Sequence, residues 1–282
     1  DEHLIRAAGQ PVRGAVMAIS DAGTAYDLIG REGAPVVVLI HGLGLTHGST
    51  WGEIAPLLAE DFRVLSYDLL GHGETRAPQM PVDLTALSDQ LMNLLNELEI
   101  ETAALVGFSL GGMINRRCAI DHPERVSALV ILNSPHDRGE DQQRLVEERA
   151  RATAASGPEA GIDVTLARWF TEAFRTTRAG RVAAVRDVVL ANDPASYAAH
   201  RRVLAEGVTE LIAPSPPITK PMLVMTCAHD TGSTPAMSHA IAAETPGAET
   251  IIVPELQHLG LIEQPDLFAR PVHGFLDRVL NG

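Results

Sequence analysis

Short, continuously apolar runs alternate along the chain with longer stretches in which apolar residues recur every three or four positions. The runs are AVMAIS (15–20), APVVVLIHG (34–42), FRVLSYD (62–68), TAALVGFS (102–109), VSALVILNS (126–134), PMLVMTCAHD (221–230) and AETIIVPE (248–255). Between them, WGEIAPLLAED (51–61), LTALSDQLMNLLNELEI (84–100), LGGMINRRCAI (110–120), TPAMSHAIAAET (234–245) and QPDLFARPVHGFLDRVL (264–280) carry the helical period. Pro271 should bend or interrupt the last of these, because proline lacks the N–H that the helix interior needs. Strands apolar on both faces and separated by helices predict an α/β fold, a parallel sheet covered on each side.

The alternation stops at His136. From there to about Pro217 the pattern is helical only, and the proline cluster APSPPITKP (213–221) closes the stretch. This predicts a sheet domain made of residues 1–135 and 219–282, with residues 136–218 as a helical insert. Charge sets the insert apart. It holds 11 arginines against 12 acidic residues, whereas the whole chain has a formal net charge of −14. An acidic surface of that size repels nucleic acid and anionic membranes, so neither is expected as a partner. No run reaches the roughly 18 apolar residues that a membrane-spanning helix needs, and the first dozen residues lack a basic start followed by an apolar stretch; a cytoplasmic location is expected. Cys118 and Cys227, on a predicted helix and strand, read as buried free thiols, and neither has a neighbouring cysteine for a metal pair.

One serine stands out against this background. In LVGFSLGG (105–112) an apolar strand ends at Phe108, a helix begins at Leu110, and Ser109 sits between Gly107 and Gly111. Glycines two residues either side let a strand and a helix pass closely, which pushes the serine out on a sharp, strained turn and aims the Leu110 N–H at whatever binds there. A serine hydroxyl needs a base, and the base needs an orienting acid. His258 follows the last predicted strand, and Asp230 closes the one before it; Asp137, after the VSALVILNS strand, is the rival acid and is weighed below Asp230. Strand ends at one edge of a parallel sheet converge, so these distant positions can meet. The Gly-rich turn after VVVLI offers the Leu43 N–H as a partner to that of Leu110 in an oxyanion hole, with His41 bracing the loop.

The combination of HGLG (41–44), DLLGHGET (68–75), GFSLGG (107–112), CAHDTGSTP (227–235) and QHLGLIEQP (257–265) resembles the α/β-hydrolase fold family. That resemblance implies a nucleophile at Ser109, an acid at Asp230, a general base at His258 and a helical lid between the sixth and seventh main strands, where the insert falls. A serine nucleophile sets the chain apart from the haloalkane dehalogenases and epoxide hydrolases of this fold, which use aspartate. Within the family, ERVSALVILNS, RWFTEAF and GVTELIAPSPPITKPMLVMTCAHD most resemble the 3-oxoadipate enol-lactonase-like group.

The insert then bears on the substrate. Between Arg168 and Arg186 lie five arginines and one acid, Glu172, so an anionic substrate group is one reading and a solvated helix face the other. Trp169 is the better pocket wall of the local aromatics, and Arg168, Trp169 and Gly42 are expected at the substrate. The expected activity is cleavage of a small ester or lactone, carboxylate-bearing on the first reading, through an acyl-enzyme without metal or cofactor. Carbon–carbon bond hydrolysis of a diketone, cofactor-free perhydrolysis, and a hydrolase-like receptor with little turnover are the alternatives.

Overall fold

The computed structural model of the protein describes residues 17–154 and 157–282. Eight strands, β1 (Ala18–Ile19), β2 (Ala25–Ile29), β3 (Val36–Ile40), β4 (Arg63–Tyr67), β5 (Ala103–Phe108), β6 (Val126–Leu132), β7 (Met222–Cys227) and β8 (Glu249–Val253), form one sheet in the order β1-β2-β4-β3-β5-β6-β7-β8. All pairs from β4 onward are parallel, and β1–β2 and β2–β4 are antiparallel. The α/β class follows, with a mostly parallel sheet flanked by helices. Every residue of β5 and β7 is buried, as expected of central strands covered on both faces.

From β3 the chain goes outward to β4 and then returns past β3 to β5. The loops leaving β3 and β5 therefore diverge, which opens a crevice at the carboxyl ends of these two strands. The loop after β3 and Ser109 border that crevice. The covering helices are amphipathic: in α3 (Leu84–Glu97), Leu84, Leu87, Leu91, Leu94 and Leu95 are buried, and the Asp83 carboxylate caps the first turn by accepting the Ala86 N–H at 2.8 Å.

Several sequence expectations are corrected. β2 was not among the predicted runs; its TAYDLI sequence is broken by Asp27, which is nevertheless 2% exposed. The single helix expected over 51–61 is two short ones, α1 (His47–Trp51) and α2 (Ala55–Leu58), with Pro56 in the first turn of the second, where a missing N–H costs nothing. β7 stops at Cys227, and Asp230 sits in the turn beyond it, where its N–H reaches the Cys227 carbonyl at 3.1 Å. Pro271 does not interrupt the last helix, which runs unbroken over Asp266–Leu280. Of the AVMAIS run, Ala15 and Val16 lie outside the described residues, as does the N-terminal stretch read for a leader.

Between β6 and β7 the chain forms a purely helical stretch. After α4 (Leu110–Asp121) and β6 come α5 (Glu140–Thr153), α6 (Ile162–Trp169), α7 (Glu172–Thr177), α8 (Ala179–Leu190) and α9 (Pro194–Glu206). The remaining helices are α10 (Pro235–Ala243), α11 (Gly260–Glu263) and α12 (Asp266–Leu280). The helical stretch is fastened to the sheet region by polar contacts. The Leu259 N–H donates to the Trp169 carbonyl at 2.9 Å, and the Thr171 N–H and hydroxyl donate to the two Glu263 carboxylate oxygens, each at 2.7 Å.

Candidate active site

The turn from β5 into α4 is as tight as its glycines suggest. A Cβ on Gly107 would lie 2.1 Å from the Gly111 carbonyl oxygen, and one on Gly111 would lie 2.2 Å from the Ile40 carbonyl oxygen. Ser109 has φ 55° and ψ −111°, a left-handed conformation that costs a non-glycine residue roughly 1–3 kcal/mol. Its side chain caps nothing. Instead, surrounding groups hold its backbone: its N–H donates to the Leu132 carbonyl at 2.8 Å, and its carbonyl accepts the Ser134 hydroxyl at 2.8 Å. Buried Arg116 supports that hydroxyl, donating to Ser134 Oγ at 3.2 Å and to the Pro135 carbonyl at 2.7 Å.

The Gly107→Ala variant is expected to lose roughly 3 kcal/mol or more of stability, since the clash is with backbone that no rotamer change relieves. Denaturant unfolding checks this, and an unchanged midpoint would show that the turn widens freely.

His258, in the loop between β8 and α11, joins Ser109 to Asp230. Its Nε2 lies 3.2 Å from Ser109 Oγ and accepts the hydroxyl proton, while its Nδ1–H donates to Asp230 Oδ2 at 2.6 Å. The short second bond is typical of a charge-assisted contact. Asp230 is buried and fully engaged: Oδ2 also accepts from Asn133 Nδ2 at 2.9 Å, and Oδ1 accepts the N–H groups of Gly232 and Ser233, each at 2.9 Å. Burial alone raises its pKa, but the charge and hydrogen bond of His258, with the Asn133 and Ser233 contacts, outweigh it and hold the carboxyl below its ordinary value. Asp137 is exposed and accepts the N–H of Gly139, so the rival acid lies on a different hydrogen bond.

Facing Ser109 is the loop that leaves β3. His41 Nδ1–H donates to the Gly42 carbonyl at 2.8 Å, and its Nε2 accepts the Leu69 N–H at 3.0 Å, which is the bracing role expected of it. The Gly44 N–H donates to His72 Nε2 at 3.1 Å. The backbone N–H groups of Leu43 and Leu110 donate to no acceptor among the described residues, although both residues are buried. Two buried, unspent donors beside a serine hydroxyl suit an oxygen that is gaining negative charge. Gly42 lies against Phe108 and Ser109 Cβ, where a Cβ would approach within 3.0–3.2 Å; it does not line the cavity.

A cavity of about 210 Å³ opens above these groups, under the helical stretch. Ser109, His258, Leu43 and Phe108 form its floor, and Trp169 and Arg168 stand in its wall. Trp169 and Phe170 divide as their adjacent positions require: Trp169 faces the cavity with its ring 6.1 Å from that of His258, and Phe170 stacks on Phe174 at 5.3 Å.

A family model for alpha/beta hydrolases matches residues 37–270. The chain belongs to that family. This α/β hydrolase is 26% identical over 258 residues to 3-oxoadipate enol-lactonase 2 of Acinetobacter baylyi, covering 92% of this chain and 94% of that one. It is 24% identical over 261 residues to the (E)-2-((N-methylformamido)methylene)succinate hydrolase of the same organism, with 92% and 96% covered. The crystal structure of the enol-lactonase from Burkholderia xenovorans LB400 superposes with a TM-score of 0.81 at 30% identity, covering 93% of this chain and 99% of that one.

The arginines of this α/β hydrolase are distributed differently from the expectation. Of the five between Arg168 and Arg186, only Arg168 lines the cavity. Arg181 pairs with Glu53, and Arg186 lies 3.7 Å from Asp163. Three further arginines join Arg168 in the wall: Arg138 after β6, Arg149 on α5 and Arg201 on α9, with Tyr197 a turn before Arg201. A signal for part of this was present, since Tyr197, Arg201 and Leu204 recur at helical spacing on one face. Among the described residues Asp230 is the one carboxylate in the lining, and it is spent on His258, Asn133 and the turn.

Proposed function

We propose that this α/β hydrolase is a serine hydrolase that cleaves a small ester or lactone bearing a carboxylate, through an acyl-enzyme. The observation that carries the reading is the hydrogen-bonded chain from Ser109 through His258 to Asp230, beside two unspent amides. Ser109 Oγ attacks the carbonyl carbon as His258 Nε2 takes its proton, and Asp230 keeps the imidazole oriented and stabilises its charged form. The carbonyl oxygen, now negative, receives the N–H groups of Leu43 and Leu110. His258 returns the proton to the departing oxygen, and a water activated by the same base then releases the acid and frees Ser109. Residues 136–218 serve as the lid over this site. A cytoplasmic location remains part of the reading; among the described residues no helix is long and apolar enough to cross a membrane.

The substrate carboxylate is inferred from the wall. Among the described residues Arg138 hydrogen-bonds Gln143 Oε1 and the carbonyls of Leu204 and Ala205, with the Glu147 carboxylate near enough to favour its charge, and neither Arg168 nor Arg201 has an ion pair. Several guanidinium groups around one small chamber repel each other unless an anion joins them. The relatives named for an enol-lactone of 3-oxoadipate and for a substituted succinate agree with an acidic substrate.

Matched 4-nitrophenyl esters with and without a terminal carboxylate test this. The wild type should prefer the acidic ester, and Arg168→Gln or Arg201→Gln should remove roughly 10- to 150-fold of kcat/KM on it while leaving the neutral ester untouched. Equal rates on both esters in the wild type would assign these arginines to solvent. Labelling of Ser109 by a serine-directed phosphonate tests the nucleophile independently.

A further inference from the structure

Beneath the loop that carries Leu43 lies a buried charge cluster that the proposed reaction does not use. His47, the first residue of α1, places Nδ1 2.7 Å from Asp68 Oδ1 and Nε2 3.3 Å from Asp27 Oδ2. Asp68 Oδ1 also accepts the His47 backbone N–H at 2.7 Å, and Oδ2 accepts that of Glu74 at 3.3 Å. Each aspartate is 2% exposed. Ionised carboxylates offer only lone pairs, so an imidazole with a carboxylate oxygen at each nitrogen needs a hydrogen on both. A neutral ring would leave one nitrogen lone pair facing a carboxylate in a place that water cannot screen.

We infer that His47 is a positioning residue for the oxyanion site: as a buried imidazolium clamped between Asp27 and Asp68, it anchors the end of the loop 41–46 and so fixes the Leu43 amide. The inference rests on the proposed reaction for its kinetic consequence, but not for the clamp itself. The two carboxylates come from different elements, Asp27 from the antiparallel strand β2 and Asp68 from the residue after β4. The clamp therefore ties the loop to the two nearest strands on that side of β3, β4 and β2. The other ties of the loop are neutral bonds: His41 Nε2 accepts the Leu69 N–H at 3.0 Å, the Gly44 N–H donates to His72, and the Gly44 carbonyl accepts from Asn192 Nδ2 at 2.9 Å.

Other titratable groups around the cluster cannot supply this charge at neutral pH. His41 lies with Nε2 3.9 Å from Asp68 Oδ1 but uses that nitrogen as an acceptor from Leu69, and burial lowers its pKa to about 4. The His72 ring lies 5.4 Å from it at a tilt of 54°, and His200 of α9 meets His72 edge-on at 4.6 Å; burial lowers the pKa of both. For His47 itself burial also lowers the pKa, but the hydrogen bonds and charges of Asp27 and Asp68 outweigh it and bring the value to about 9. Since this lies above the ordinary 6.5, the stabilising proton is fully held below the ordinary value and is lost as pH rises through about 9. Losing it leaves two buried carboxylates about a neutral ring, and the loop loses its firmest anchor.

The test uses the wild-type protein labelled with 15N in histidine and in the backbone. His47 should show protons on both ring nitrogens at pH 7.5 and titrate near pH 9, and the Leu43 amide resonance should shift with the same midpoint whether or not an ester is turned over. With a neutral alkyl ester followed by pH-stat, kcat should be about tenfold lower one unit above that midpoint, with KM little changed. Asp27→Asn should lower both midpoints by at least one unit; should that variant not fold, the wild-type resonances decide. A His47 ring that is neutral at pH 7.5, or one that titrates without moving the Leu43 amide, overturns the inference. Failure of the protein to cleave any ester while both resonances titrate together would overturn the proposed reaction and leave the clamp standing.

Discussion

Ser109→Ala is expected to fold with an unchanged melting temperature and to lose at least about 10⁴-fold in kcat on a neutral 4-nitrophenyl ester. The size follows from the geometry. Ser109 Oγ is the hydroxyl that His258 Nε2 meets, at 3.2 Å, and the left-handed turn that aims it at the cavity is held by glycines whose fit does not involve the side chain. Removing one oxygen therefore leaves the elbow, the base and both amides in place with nothing to attack the carbonyl. Activity above a tenth of the wild type would end the acyl-enzyme reading.

The second large effect concerns the acid. Asp230→Asn should lower kcat by roughly 10⁴-fold with little change in KM, because an amide next to His258 Nδ1 can present a donor and favour the wrong tautomer. Asp230 also accepts three other hydrogen bonds, from Asn133, Gly232 and Ser233, so the melting temperature should drop as well. Asp137→Asn, at an exposed position whose carboxylate accepts the Gly139 N–H, should change neither. Steady-state kinetics on both variants separate the two acids, and a strong effect at Asp137 with a mild one at Asp230 would transfer the role to the end of β6.

How far the chain could be read in advance depended on what each residue faces. β3, β5, β6 and β7 were legible because central strands are apolar on both sides, and Ser109 was legible because only a strand-to-helix turn explains its two glycines. β2 was not. Its Asp27 reads as a break in an apolar run, and its burial makes sense only once His47, 20 residues away, is known to sit against it. The cavity wall was partly hidden for a related reason: arginines on α5, α6 and α9 share the helical period, but which face turns inward is decided by packing against neighbours distant in sequence. Counting charge along 168–186 selected a stretch, whereas the cavity selects one residue from each of several elements.

The bonds that join Trp169 and Thr171 to Leu259 and Glu263 set a rule for grafting. They cross 90 and 92 positions of sequence and end beside His258. Exchanging residues 136–218 for the equivalent stretch of a relative would cut the chain cleanly at both joints, yet it would strip the Glu263 carboxylate of its two donors unless the newcomer carries a hydroxyl residue at the same place. A chimera of this protein therefore has to be assembled from three pieces of sequence, the two joints and the short helix α11, if its new cover is to sit squarely over the old serine.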